Sequence, residues 1–327
     1  AGVSTGAVSF ALNGRPGVSE ATRQRILEIA EELDWQPNSA ARALVGGNSG
    51  VVGLVISRPA RTLGAEAFFA DLIAGIQSGL SAQNTGLQML LVRDVPAEIA
   101  TYRRWHNSRQ VDGVILLDPL LDDPRIAVVK ELNMPAVIVG SRPSPSGAPP
   151  TAWVDDVEVA ATLFDYLVAI GHRDITYVTG PALLEHTRLR IEVLRALEGD
   201  GIRQEAILTD YSPAQATMIS RQLLSRRKRP SVIVYDNDVM AVAGLRVAQE
   251  MAIAVPQEVS IASFDDSVIA GLTHPSITCM TRDTFELGER AATLLLGQLD
   301  SSEPLESLKC PSPVLTVRES TTSPAKA

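Results

Sequence analysis

The chain has 327 residues, of which 45% are hydrophobic, 20% charged and only 4% aromatic. That globular profile excludes wholesale disorder and a fibrous fold, and it has room for two or three domains. The formal net charge of −9 argues against a protein that coats nucleic acid throughout, but allows a small DNA-reading head on an acidic body. No apolar run approaches the length of a membrane helix, and the opening AGVSTGAVSF lacks the regions of a secretory signal, so a cytoplasmic protein without membrane contact is expected. The two cysteines, Cys279 and Cys310, belong to no CxxC pair, so a disulfide framework and a zinc finger are excluded and no cofactor is expected.

The first 45 residues read as helical. Val8, Ala11 and Leu12 recur at helical spacing within Thr5 to Leu12, and Asn13-Gly14 and Pro16-Gly17 supply the stop. Ser19 is the natural N-cap of a second helix, with Glu20 in its first turn and Ile26, Ile29, Ala30 and Leu33 as its apolar stripe. Pro37 ends it. Asn38 can cap a short last segment, SAARAL, before the flexible Gly46–Gly50 linker.

From Val51 the pattern changes. Short apolar runs (51–57, 87–92, 113–118, 136–140, 175–180, 231–236 and 260–265) alternate with amphipathic segments such as FFADLIAGIQSGLSAQ and NDVMAVAGLRVAQEM. Buried strands alternating with helices predict an α/β fold with parallel sheets, and seven units with a proline-rich break at 141–150 predict two doubly wound subdomains. A cleft then lies at the carboxyl ends of the strands. Polar residues at those ends, namely Ser57, Asp118, Asn237 and Asp265, are ligand candidates, although each could also cap the helix that follows.

Three ordered motifs in the head carry a resemblance. VSxxxVSxxLN, VSxxTRxRI and WxPNxxAxxL, from Val3 to Leu44, together resemble the DNA-binding head of the LacI/GalR family of transcriptional repressors. GHRDI, the Asn237-Asp238 pair and SFDD extend the resemblance over about residues 1–320. It implies a periplasmic-binding-protein-like core behind a small all-α helix-turn-helix head whose first helix would precede Ala1. The implied division is residues 1–37 for the head and 38–50 for a hinge helix and linker. One core subdomain then takes 51–155 plus 282–310, the other 156–281 plus 311–320, and 321–327 form a disordered tail.

The resemblance also implies roles. Thr5 to Asn13 becomes the recognition helix in the major groove. Ser4, Thr5, Gly6, Ser9, Phe10 and Asn13 are then the residues at DNA, where Ser4 and Thr5 can meet phosphates and Phe10 offers apolar contact. Asn38 and Ala41 fall on the hinge helix, and Leu44 falls where an apolar wedge enters a minor-groove step. In the core, Arg190 and Asp265 are implied to grip an effector, Asn237 to contact it, and Phe68, Phe69 and Tyr211 to stack on it, one of the two phenylalanines being core. Val193, Leu194 and Val159 depart from the family pattern near the cleft. The implied partners are a palindromic double-stranded DNA operator, a sugar effector and a second copy of the chain in a homodimer.

The residues admit other readings. The head has one more acidic than basic group, which by composition alone suits a protein-binding module. The basic run Arg226–Arg229 closes a helix, where cations complement the dipole in solvent. No P-loop, dinucleotide fingerprint, nucleophile elbow or HExxH is present, so an enzyme is not expected. A sugar-binding receptor with the same two-lobed core but no DNA role is the alternative, and the head motif opposes it.

Overall fold

A computed structural model describes residues 2–12, 16–33, 48–58, 60–140, 142–143, 147–197, 199, 201–301, 303 and 305–324. The head contributes α1 (Thr5–Leu12) and α2 (Glu20–Glu32), which pack together and bury Ala11 and Ile26. Local chemistry starts both helices. Ser4 Oγ accepts from Ala7 N at 3.2 Å, and Ser19 Oγ accepts from Thr22 N at 3.3 Å. The expected apolar stripe of α2 is only partly covered: Ile26 is buried while Leu33 is 71% exposed. Two short helices leave little surface to cover the rest.

The body holds two six-stranded sheets of like topology. The first contains β1 (Val51–Ile56), β2 (Gly86–Leu91), β3 (Gly113–Leu117), β4 (Ala136–Val139), β5 (Thr151–Trp153) and β11 (Leu308–Lys309), in the order β11-β5-β4-β3-β1-β2. The second contains β6 (Asp174–Thr179), β7 (Arg203–Leu208), β8 (Val232–Tyr235), β9 (Ser260–Ser263), β10 (Thr278–Thr281) and β12 (Val314–Thr316), in the order β12-β10-β9-β8-β6-β7. All pairings are parallel except β10 with β12. The sheets are therefore doubly wound, with β1 and β6 at the points where strand order reverses.

The seven apolar runs all become strands; six have their residues buried on both faces, while β2, at a sheet edge, is only half-buried. The strands that periodicity missed are β5, β7, β10, β11 and β12. Four of them are only two to four residues long and β7 lies at a sheet edge, and their partly polar sequences carry no continuous apolar signal. Helices cover both faces. They are α3 (Ala60–Leu63), α4 (Ala67–Ser81), α5 (Val95–Asn107), α6 (Pro124–Glu131) and α12 (Thr284–Asp300) around the first sheet. Around the second lie α7 (Asp156–Ala169), α8 (Glu185–Ala196), α9 (Pro213–Leu224), α10 (Asp238–Glu250) and α11 (Val268–Leu272).

The chain crosses between the sheets after β5, after β10 and after β11. The second crossing delivers α12 back onto α4. There a Cβ on Gly75 would lie 2.0 Å from the Phe285 carbonyl oxygen, and one on Gly288 would lie 2.3 Å from that of Leu72. Two facing glycines thus set the spacing of these helices. The departures Val159 and Leu194 are fully packed in the core of the second subdomain, with Val193 against it.

One expectation for the end of the chain needs correction. Residues 321–324, assigned to a disordered tail, are ordered on the second sheet. Thr321 is buried and its hydroxyl lies 2.8 Å from that of Thr278 and 2.9 Å from that of Tyr166. Thr322 N donates to Ser260 Oγ at 3.2 Å. These hydroxyl contacts tie down a polar stretch that composition alone reads as loose. The predicted hinge helix, with Asn38, Ala41 and Leu44, lies outside the described residues, as does Asn13.

Candidate functional site

The carboxyl ends of the strands at both switch points converge on one cleft of about 650 Å³, its open mouth included. From the first subdomain come Arg58 after β1, Glu66, Phe68 and Phe69 around the start of α4, and Asp118 after β3. From the second come Asp156, His186, Arg190, Tyr211, Asp236, Asn237 and Asp265. Arg282 lies on the crossover between β10 and α12. Backbone bonds tie the two lobes at one side: Leu121 N donates to Leu183 O at 3.1 Å, and Glu185 N to Pro119 O at 3.0 Å.

Arg190 projects from α8 and is only 4% exposed. Its Nη2 meets Asp156 Oδ1 at 2.7 Å and its Nη1 meets Asp236 Oδ1 at 2.8 Å. The guanidinium also lies 4.5 Å from the centre of the Phe264 ring. A surface ion pair with Glu192 or Glu185, the bland alternative, is not what this side chain makes. The hydroxyls of Tyr177 and Tyr211 both donate to Asp236. Burial pushes the Asp236 carboxyl up, but Arg190, His186 and the two phenols outweigh it and hold the group down at about 2.

Tyr211 is set by three local features. Its backbone sits at φ +65°, a region a bulky residue adopts only when its surroundings require it. Its N–H donates to Thr209 Oγ1 at 3.0 Å. Gly180 makes room for the ring, since a Cβ there would lie 1.9 Å from it. His186 Nε2 is 2.9 Å from the Tyr211 hydroxyl. Because that hydroxyl gives its hydrogen to Asp236, its oxygen is left to accept from the imidazole. Burial, with help from the charge of Arg190, lowers the His186 pKa and favours the neutral ring.

Arg58 spans the cleft. Its Nη2 pairs with Asp118 Oδ2 at 2.8 Å, and its guanidinium lies 4.3 Å from the Tyr211 ring centre and 5.8 Å from that of Phe69. A cation of the first subdomain thus rests on an aromatic face of the second. Burial opposes ionisation of Asp118, but Arg58 prevails and keeps its pKa below the usual value. Asp265 pairs with Arg282 at 3.0 Å. Burial raises its pKa to about 6 despite Arg282 and Arg190. Its neighbour Asp266 is held at 2.7 Å by Arg318 and is structural.

Three cleft residues carry buried polar atoms that make no hydrogen bond within the described protein: Glu66 Oε1, Asn237 Nδ2 and Arg282 Nε. Such orphans are rare in folded interiors and mark places where a partner is owed. Asn237 shows that the two readings offered for it are compatible. Its Oδ1 caps α10 by accepting from Met240 N at 2.8 Å, while its amide nitrogen is buried without a hydrogen bond in a residue that lines the cleft.

Of the core residues singled out from sequence, the cleft gathers Phe68, Phe69, Asp118, Arg190, Tyr211, Asn237 and Asp265. Phe69 is 2% exposed and belongs to the core as well, whereas Phe68 is partly open. Ser57 is not among the lining residues. Successive residues of an extended chain face opposite ways, and the next one, Arg58, is the one that reaches in. Arg58, Glu66, Asp156, His186, Asp236 and Arg282 escaped the sequence reading. Arg58, Asp236 and Arg282 stand within two residues of a strand's carboxyl end, a position that could have flagged them.

The head residues are displayed rather than assembled into a pocket. Ser4, Thr5, Gly6 and Phe10 are exposed along α1, and Ser9 is partly covered. Ser4 spends its hydroxyl on the cap of α1.

Comparison with known proteins agrees with both parts. Residues 1–38 match the bacterial regulatory proteins, lacI family, and residues 164–321 match the periplasmic binding protein-like domain. The HTH-type transcriptional regulator CelR of Thermobifida fusca is 30% identical over 314 residues, covering 93% of this chain and 92% of that protein. A CelR–cellobiose complex superposes with a TM-score of 0.74 at 28% identity, over 98% of this chain and 97% of that one. The lac repressor dimer bound to operator and the anti-inducer ONPF gives 0.80 at 25% identity, over 98% and 96%. A helix-turn-helix head on a two-lobed core defines a transcriptional regulator. The chain belongs to the LacI family. Among the described residues, no helix is long and apolar enough to cross a membrane.

Proposed function

We propose that the protein is a repressor, acting as a homodimer on a palindromic operator, whose DNA affinity is set by a sugar bound in the cleft. The observation that carries this reading is the chemistry of the cleft wall. Orphaned donors and acceptors on Glu66, Asn237 and Arg282 belong to residues that line the same cleft as the aromatic rings of Phe68 and Tyr211. A sugar offers what they lack, hydroxyls that both donate and accept around an apolar ring face. The sugar in the CelR complex points the same way for a relative.

Coupling follows from the connections. An effector that favours one relative position of the lobes shifts their equilibrium by its difference in affinity for the two states. The linker feels that shift at Asp112, whose carboxylate accepts from Ser49 N at 2.6 Å and Gly50 N at 2.7 Å, where the head joins β1. For self-association, α11 offers the exposed apolar side chains Val268, Ile269 and Leu272.

The test is operator binding by fluorescence anisotropy with and without sugars chosen by thermal shift. Sugar-dependent change in operator affinity is expected, lost in Asp265→Ala with DNA binding intact. Operator binding that no sugar alters overturns the sugar-controlled reading.

A further inference from the structure

Among the described lining residues, five carboxylates face three guanidiniums: Glu66, Asp118, Asp156, Asp236 and Asp265 against Arg58, Arg190 and Arg282. Every guanidinium already holds a carboxylate, Arg58 that of Asp118, Arg190 those of Asp156 and Asp236, and Arg282 that of Asp265. Among the described lining residues, the cleft therefore keeps no uncompensated cation for an anionic ligand. Helix N-termini, the other usual anion seats, are taken too. Asp155 caps α7 and Asn237 caps α10, with Asp156 and Asp238 in their first turns, while α4 and α8 have no side-chain cap but carry the acidic Glu66 and Glu185 at their starts.

The carboxylate left over is Glu66. It occupies the N-cap position of α4 but makes no capping bond. It is 7% exposed, lines the cleft, and its Oε1 is unbonded. A residue chosen for capping would be Ser, Asp or Asn, so this side chain has been spent on the cleft.

We infer that Glu66 is the specificity residue that restricts the effector to an uncharged or cationic compound, accepting a hydroxyl or amine proton and turning away phosphorylated and carboxylated sugars. The inference rests on the proposed sensor function and refines the ligand class of the same cleft. A phosphate beside Glu66 would add negative charge to a site whose carboxylates outnumber its guanidiniums. The electrostatics of Glu66 itself agree. Burial raises its pKa to about 8, Arg58 opposes that rise, and Asp265, Asp118 and Asp238 add to it. Glu66 is therefore largely protonated at neutral pH and repels anions most once ionised, so its discrimination against them should steepen as pH rises through 8.

The experiment uses the full chain and titrates matched neutral and anionic probes by calorimetry. The pairs are glucose with glucose 6-phosphate and with glucuronate, cellobiose and maltose with their aldonic acids, and adenosine with its 5′-monophosphate. Wild type and Glu66→Gln are compared at pH 9, where Glu66 is largely ionised, with melting temperature as the folding control. The expected result is at least tenfold preference for the neutral member of any pair that binds, and a clear narrowing of that ratio in Glu66→Gln. An anionic member that binds tighter than its neutral partner overturns the inference and leaves the sensor function standing. A ratio unchanged in Glu66→Gln overturns the role of Glu66. Neutral binding that never alters operator affinity overturns the sensor function alone, and a cleft that takes no probe counts against both.

A second readout needs no ligand. A carboxyl whose folded pKa is raised costs stability as pH rises through the window between its unfolded value, about 4.5, and about 8. Wild type should therefore lose melting temperature relative to Glu66→Gln between pH 6 and pH 8.5. Parallel profiles would contradict the burial of an ionisable Glu66.

Discussion

Arg125 and Arg190 are built from the same parts. Each is almost fully buried, each is held by two carboxylates, and each of those pairs includes one that accepts from a buried tyrosine. Arg125 has Glu98 and Asp123, with Tyr102 donating to Glu98. Arg190 has Asp156 and Asp236, with Tyr177 donating to Asp236. They differ in what the remaining donors do. Arg125 also donates to the carbonyls of Leu117 and Asp118, at 2.9 Å each, and its guanidinium is saturated. Arg190 meets only its two carboxylates and lines the cleft.

The comparison separates a brace from a site. Arg125 closes on its own subdomain and fixes the backbone of Asp118, which holds φ +53° at the cleft rim. Arg190 lines a space that a ligand can enter and has N–H groups beyond those that meet its carboxylates, donors of the kind that recognise vicinal oxygens. Burial and pairing alone would rank the two alike. The partners of each N–H tell them apart.

The largest effect should come from removing the brace. Arg125→Ala strands Glu98 and Asp123 in the interior, and a loss of about 3–5 kcal/mol in urea unfolding is expected, with effector affinity of the folded fraction retained. A greater loss of effector affinity than of stability would erase the distinction. Arg190→Ala should do the reverse. Effector affinity falls by roughly 100-fold, as for a buried charged partner worth about 3 kcal/mol, while stability falls less than in Arg125→Ala because Tyr177 and Tyr211 still donate to Asp236.

A titration sharpens the same contrast. Asp236 is depressed to about 2, so its pairing stabilises the fold above the unfolded value of 3.8 and is lost as pH falls from there through 2. Asp236→Asn should remove about 2 kcal/mol of that acid-sensitive stability, read from unfolding curves between pH 5 and pH 2. Gly180→Ala forces the Tyr211 ring away and should cost about 1–3 kcal/mol together with effector affinity. Arg58→Met should be mildest, about 1 kcal/mol in stability, because it removes one partly exposed ion pair and one cation–π contact. A change in effector affinity beyond tenfold would make Arg58 a ligand contact rather than a strap between lobes.

The sequence by itself determined the strands buried on both faces, the helix starts at Thr5 and Glu20 and the family of the chain. Those depend on local pattern: continuous apolar runs, a capping hydroxyl, an ordered motif. Asp118, Asn237 and Asp265 were legible for the same reason, since each ends or follows a run that reads as a strand. Tertiary structure alone decided which polar residues face one another across the cleft. Glu66 and His186 sit in stretches with no motif, and nothing local brings Arg190 to Asp156 and Asp236, or Arg58 onto Tyr211. Those contacts arise because two like sheets aim their switch points at a common space. Ionisable groups held there with little water acquire partners, and pKa values, that no stretch of sequence contains.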